Sequence, residues 1–424
     1  SCDGRRMAEQ AAHLVDEVFP AVPVRQWVLS LPFWLRYRVA WDHKLFSSVI
    51  SVWIRTITSF YRKRAREGHG IADGHCAAFS CVQRFGDALR LNPHVHSAFA
   101  DGVWHVAAGS DEPTFQRIRS PSQKEVEQLA LTVRRRVLRR LARLGVLRAD
   151  LEEPTCDLFA ETQPVLATCM TASLLDRVAV GERKGELVMR LRDEDVVVRA
   201  NGIRCAVTDG FNIHAATTVA PADRTGLESL CKYILRPAIC NERMQRLGSG
   251  QVLISLKKKW SDGTFAKLFE PVDLPAKVVA LLPAPGANLI RYHGQFAPNA
   301  RWRRFITSFA PAKRKRPPPD GTEEQRQRRM SWAVLLRRSF AIDALICDCG
   351  GRRELIAVIE HKPTVRKILE HLGLESELPA FAAPRGPPLF DELEAPAADD
   401  GFDVGDGAEV RIVADLDFVE PDYG

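Results

Sequence analysis

The stretch that most constrains this chain is Leu91-Asn92-Pro93-His94-Val95-His96-Ser97-Ala98-Phe99-Ala100-Asp101-Gly102-Val103-Trp104. It reads as a short β-strand that turns at Asp101-Gly102 into a second strand. Side chains alternate along a strand, so His94 and His96 leave one face, roughly 6.6 Å apart, while Val95, Ser97 and Phe99 leave the other. Two imidazoles on a rigid strand are a donor set that holds one metal ion from a single edge, leaving room for a third ligand, water and substrate. A pair of half-buried structural histidines is the plainer reading of the same spacing.

The 424 residues allow two or three domains, and a hydrophobic share of 46% supports a sizeable core. The apolar runs are short and broken by charge, so none reads as a membrane span. The amino end, Ser1-Cys2-Asp3-Gly4-Arg5-Arg6, carries no apolar signal region and reads as the cut edge of a longer protein. Ten scattered cysteines in mostly apolar contexts suit a reducing compartment, hence a cytoplasmic location. Net charge is +7, yet residues 391–424 hold twelve acids against one base, Arg411, so the body before them is far more basic than the total. Such a body calls for a polyanionic partner, with nucleic acid the default.

Helical patterns are expected at 5–18, from about Trp34 to Arg66, at 122–145 and at 224–236, where Pro237 sets the limit. Ser122 is placed to cap the third of these, whose charges run from Glu125 and Glu127 to Arg139-Arg140 along the macrodipole. Strands are expected at 25–32, 77–85, 195–207, 251–256 and 264–269, giving an α+β arrangement of antiparallel sheet and packed helices. Pro311 to Arg328 reads as a basic, proline-rich linker, 329–376 as a small helical or ribbon-like unit, and 377–424 as an acidic disordered tail.

On the helix at 224–236, Leu227, Leu230, Cys231 and Ile234 form the apolar stripe, with Tyr233 at its margin between Lys232 and Arg236. A phenol is a poor nucleophile at neutral pH unless cations or a polarised electrophile assist it, and Lys232 and Arg236 are of the right type to assist or to grip phosphate. The alternative is a tyrosine packed on the sheet. Lys257-Lys258-Lys259-Trp260 and Arg301-Trp302-Arg303-Arg304 pair cations with an aromatic, which suits a groove tracking a nucleic-acid backbone with a base-stacking platform.

Five blocks occur in order: Trp27 to Pro32; Gln83-Arg84-Phe85-Gly86-Asp87 through His96; Leu227 to Pro237; Leu256 to Thr264; and Arg291-Tyr292-His293-Gly294 through Asn299. This set closely resembles the rolling-circle insertion-sequence transposases of the IS-ninety-one type, members of the HUH single-strand endonuclease superfamily. The similarity covers nearly everything from residue 1 to about 375. It implies an HUH-type catalytic domain over 25–310 and a bacterial, nucleoid-associated DNA transposase. It also implies a divalent ion, Mg or Mn, held by His94, His96 and a third polar side chain, with Gln83 the choice and Asp87 the runner-up. Tyr233 is then the nucleophile, single-stranded DNA at transposon ends the partner, and no nucleotide cofactor is needed. Lys232, Arg236, Lys257, Lys258, Lys259, Trp260, Arg301, Arg303 and Arg304 are the expected DNA contacts.

Three departures qualify the resemblance. Relatives often carry a second tyrosine four residues earlier, where this chain has Ser229, so it looks like a single-tyrosine variant. Cys2 looks like the last ligand of an amino-terminal zinc module, which makes residues 1–24 the remnant after that module, with zinc expected only there. Cys347-Asp348-Cys349-Gly350-Gly351 has one residue between its thiols where relatives have two, which is short for a zinc site. The alternative function is a catalytically inactive DNA-binding remnant of a transposase.

Overall fold

The computed structural model describes residues 2–146, 157–192, 203–239, 243–260, 262–307 and short stretches between 333 and 373. The linker expected at 311–328, the tail expected at 377–424, most of the unit expected at 329–376, and residues 195–202 of the 195–207 strand region lie outside the described residues.

The chain begins with α1 (Cys2–His13), a π-helical turn at Leu14–Val18, β1 (Val24–Ser30), α2 (Phe33–Trp41) and α3 (His43–His69). Next come β2 (Ala77–Phe85), β3 (Leu91–Ala100), β4 (Gly102–Val106), β5 (Pro113–Arg117) and α4 (Gln123–Arg143). After them run α5 (Leu158–Thr162), α6 (Pro164–Leu174), β6 (Met189–Arg192), β7 (Cys205–Thr208), β8 (Phe211–His214), β9 (Thr218–Val219) and α7 (Arg224–Leu235). The last elements are β10 (Met244–Arg246), β11 (Val252–Ser255), β12 (Thr264–Phe269), α8 (Asp273–Leu281), β13 (Ile290–Gly294), α9 (Arg303–Ile306) and α10 (Lys362–His371). The class is α+β. No described helix is long and apolar enough to cross a membrane.

The main sheet is antiparallel, in the order β13-β2-β3-β1-β8-β7, with β9 also pairing β1. The histidine strand β3 is therefore central and buried along its whole length. One face carries Trp27, Leu29, Val95 and Phe99 against Ile50, Trp53 and Ile57 of α3 and Val126, Val133 and Val137 of α4. The other carries Phe79, Cys81, Ala98 and Ala100 against Leu227, Leu230 and Ile234 of α7, and against Leu14 and Val18 of the π-helical turn. A second sheet, β10-β11-β12-β6, builds a separate core with α6 and α8.

The strand turns at Asp101-Gly102 into β4 as expected, but both edges of β3 are already taken by β1 and β2, so β4 leaves to pair β5 in a two-stranded ribbon. Asp101 is buried and held in a fork by Arg25 (2.9 and 3.0 Å), while the Tyr61 hydroxyl donates to it at 2.7 Å. Arg25 also donates to the Ala215 carbonyl and to Ser120 Oγ. Burial and the Asp101 charge push the Tyr61 hydroxyl well above its ordinary range, so it stays a donor. The long helix expected from Trp34 to Arg66 breaks at Asp42, whose side chain accepts from Leu45 N (2.9 Å) and caps α3.

Ser122 and Glu125 form a capping box on α4. Burial alone would raise the Glu125 carboxyl, but hydrogen bonds from Arg64 and Ser122 outweigh it and hold it at about 2. A carboxyl depressed on folding stabilises above its unfolded pKa and loses that contribution as pH falls through the folded one. The stability cost of Glu125→Gln is therefore expected to shrink as pH drops from about 4.5 towards 2; a cost independent of pH in paired urea melts would contradict this. Asp101→Ala strands a buried guanidinium and is expected to lower stability by about 3–5 kcal/mol in denaturant unfolding.

Candidate active site

In the β1–β3 and β2–β3 registers, His94 lies between Ser30 and Gln83, and His96 between Val28 and Cys81. Paired strand residues share a face, so Gln83, His94 and His96 stand together on the α7 side of the sheet. The imidazole centroids are 4.8 Å apart. The Tyr233 ring stands perpendicular to His96, with centroids 5.6 Å apart. Helix α7 delivers it: Asp223 caps the start by accepting from Gly226 N, and Arg236-Pro237 ends the helix three residues past Tyr233.

Gln83 ties the strand to that helix end. Its Nε2 donates to the carbonyls of Tyr233 (3.2 Å) and Ile234 (2.8 Å), among the last-turn groups that a helix terminus leaves short of partners, where the Tyr233 carbonyl also accepts from Arg236 N. Committing the nitrogen fixes the other end of the amide, and Gln83 Oε1 is buried without a hydrogen-bond partner. His94 Nδ1 must donate to the Asn92 carbonyl (2.7 Å), which leaves its Nε2 with the lone pair. His96 Nδ1 meets Gln26 Nε2 at 2.7 Å, and His96 Nε2 is a second buried atom without a partner. Turning the Gln26 amide end for end keeps its shape and lets Oε1 accept from Nδ1–H, giving His96 the same tautomer as His94. Burial drives the His96 imidazole well below its ordinary pKa, with His94, Arg236 and His214 adding to the effect, so it is neutral and able to ligate.

Arg236 lies with Cζ 4.7 Å from the Tyr233 ring centre, and Lys257 with Nζ 5.4 Å from it. Arg236 Nε is a third buried atom without a partner. A buried polar group left unpaired costs about 1–3 kcal/mol, so this cluster is a poor structural arrangement and a good binding one. Two imidazoles and an amide oxygen fit a divalent cation, and a guanidinium and an ammonium beside the phenol fit a phosphate. Among the described residues no group of three or more His, Cys, Asp and Glu is arranged for a metal, so the donor set depends on an amide as third ligand.

The other expected residues divide. Lys232 is buried and pairs with Glu228 (3.1 Å) one turn back on the same helix, so Lys257 takes the place beside the phenol where the sequence pointed to Lys232. Asp87 lies in the β2–β3 connection and faces Arg243 at 3.9 Å. Lys258 and Lys259 are exposed. Trp260 receives Lys267 and Arg190, both bound to the interior carboxylate of Asp176, so its ring serves the second core. Arg301 and Arg304 are exposed, but Arg303 is buried and donates to the Phe296 carbonyl, so these arginines do not share one surface.

Tyr292 and His293 pack on β13: the tyrosine hydroxyl accepts from Gln10, and His293 Nε2 meets Ser80 Oγ at 3.1 Å on the face away from His94. Gly294 has φ +57°, and a Cβ there would fall 2.0 Å from the Cys76 carbonyl, so only glycine fits. Cys347 and Cys349 lie in a short turn, with burial of neither complete. Sequence reading missed Gln26 and His214. Both are buried polar residues on core strands, and His214, held to about 4 by burial, lies across Val28 from His96. The signal is partial: Gln26 adjoins Trp27 but also Arg25, and His214 sits between Ile213 and Ala215.

A family model described as "Putative transposase" matches residues 77–303, from the first residue of β2 into α9. No curated protein and no solved structure match. Gln26 lies outside the matched stretch, and its role can be read without nicking. Were Mn held on the His94–His96 face, Gln26→Leu would weaken its binding roughly ten- to a hundredfold by paramagnetic resonance titration, and Gln26→Glu would restore it. Unchanged affinity in the leucine variant would remove Gln26 from the site.

Proposed function

The chain belongs to this transposase family, whose model spans more than half of it, and from that premise we propose that it nicks and rejoins single-stranded DNA through Tyr233 by the rolling-circle route. Family membership already places it among proteins that cut and join DNA at the ends of mobile elements. The observation that carries the finer reading is the Tyr233 ring standing edge-on to His96, whose neighbour is His94, with Arg236 and Lys257 against the phenol.

His94 Nε2, His96 Nε2 and Gln83 Oε1 are the atoms that would hold Mg or Mn. A bound ion of this kind polarises the scissile phosphate and offsets charge growing on its oxygens. The protein's own groups do the rest. Tyr233 Oη attacks phosphorus as its proton leaves, the bond to the 3′-oxygen breaks, and the products are a 5′-phosphotyrosine and a free 3′-hydroxyl. Arg236 and Lys257, which lie against the phenol ring, bind the same phosphate. Attack by another 3′-hydroxyl reverses the step and joins the strands. With Ser229 one turn earlier, a single covalent link forms at a time. Tyr233 is only 4% exposed, which keeps water from the phosphotyrosine.

Wild-type protein with Mg or Mn is expected to attach covalently to a single-stranded oligonucleotide carrying the element's terminus. Tyr233→Phe is expected to lose at least about a thousandfold of that rate, since the nucleophile itself is gone. Mass spectrometry of the adduct locates the link. Nicking at the wild-type rate by the phenylalanine variant would rule the covalent route out.

A further inference from the structure

An open cleft of about 790 Å³ lies between the second half of α3 and the middle of α4, on the face of the sheet away from the histidines. Along it Lys63, Arg64, Arg119, Arg135 and Arg136 outnumber Glu67 and Glu125. Structural needs account for some of the arginines. Arg64 pairs with Glu125, Arg136 donates to Thr56 Oγ1 (3.2 Å), Arg134 pairs with Asp209, and Arg140 donates to Ser48 Oγ (3.4 Å). The macrodipole rewards cations only in the last turn of α4, which covers Arg140 and Arg143. Neither packing nor dipole explains Arg135, which is exposed on the α4 wall. Arg119, 73% exposed, reaches Glu125 only at 3.9 Å, and Lys63 on the α3 wall meets Glu67 at 3.8 Å with both side chains more than 60% exposed, so these pairs are worth almost nothing.

We propose that this cleft is a second DNA-binding surface, which holds the phosphate backbone of double-stranded DNA flanking the strand cut at Tyr233. The inference rests on the DNA-handling role of the family and not on the tyrosine chemistry. Backbone rather than base contact follows from the lining. Phe60 is its one Phe, Tyr or Trp among the described residues, and that ring already packs edge-on against Trp27 (5.9 Å) and Tyr61 (5.5 Å) with Arg64 over it at 5.2 Å. A cleft that binds by charge and offers no stacking platform suits a duplex, whose bases are already stacked, better than a single strand. The flank is thereby held on one side of the sheet while the unpaired strand reaches the histidines on the other.

The test uses the full chain without divalent ion, so that cleavage plays no part in the result. Lys63→Gln, Arg119→Gln and Arg135→Gln combined are expected to weaken binding of a duplex of about 40 base pairs at least tenfold at about 0.1 M salt. The slope of log affinity against log salt should fall by roughly 2–3, about 0.9 for each phosphate no longer neutralised. Affinity for a single strand of the same length should change less than about twofold, and Glu67→Gln should tighten duplex binding. Arg6→Gln, Lys184→Gln and Arg246→Gln combined remove the same formal charge from exposed positions outside the cleft and should have little effect. Unchanged duplex affinity and slope, an equal loss on single strands, or an equal loss from the control triple would each overturn the proposal. A protein that fails to nick but loses duplex binding as described would sink the tyrosine reading and leave this one standing.

Discussion

The structure depends on a buried ion pair at the point where the chain leaves its main sheet. Arg25 and Asp101 meet in a two-pronged contact with both side chains almost fully buried, and Tyr61, Ser120 and the Ala215 carbonyl complete the set. A charge so placed tolerates no slip, because moving β1 by one residue along β3 would turn Arg25 to the other face and strand both ions. The same register sets Gln26 opposite Ala98, within reach of His96, and Val28 opposite His96 itself. The alignment of the imidazoles is thus tied to an electrostatic constraint on the opposite face of the sheet.

The sheet separates two kinds of work. Its α3–α4 face is a closed aromatic and aliphatic core built on Trp27, Trp53 and Phe99, with polar groups paired inside it: the Trp27 indole donates to Tyr61, and Trp53 to Ser97. Its α7 face mixes Cys81, Ala98 and Ala100 with His94, His96 and Gln83, and there buried polar atoms stay unpaired. Complete pairing on one face and vacant donors and acceptors on the other mark where stability is made and where a ligand would be bound. Gln83 belongs to both tasks, since it holds the end of the tyrosine helix with its nitrogen and leaves its oxygen open beside His94.

Much of this was legible before any coordinates. Alternation along Leu91–Ala100 placed the histidines on one face, and Ser122, expected to cap the helix at 122–145, does so. The apolar stripe of 224–235 gave a helix in the expected place. Other features were misread or read only in part, for identifiable reasons. The turn at Asp101-Gly102 was legible but not which strand β4 pairs with, because pairing is decided by which edges are free. Lys232 and Lys257 were both expected at the phosphate; a helix turns neighbours to different sides, so Glu228, four residues back, claims Lys232, and Lys257 is the one beside the phenol. Arg303 and Trp260 looked like a binding surface because cation-aromatic pairs occur equally in interiors.

Residue order alone settled the class of fold, the pairing of two imidazoles on one strand face and the helical setting of Tyr233, because periodicity is a local property of the backbone. Tertiary structure decided what those residues meet. Gln26 against His96, Gln83 between β3 and the last turn of α7, and Lys257 beside the phenol join positions far apart in the chain. Such contacts arise from strand register and helix docking, which depend on burial across the whole sheet and are written in no single segment.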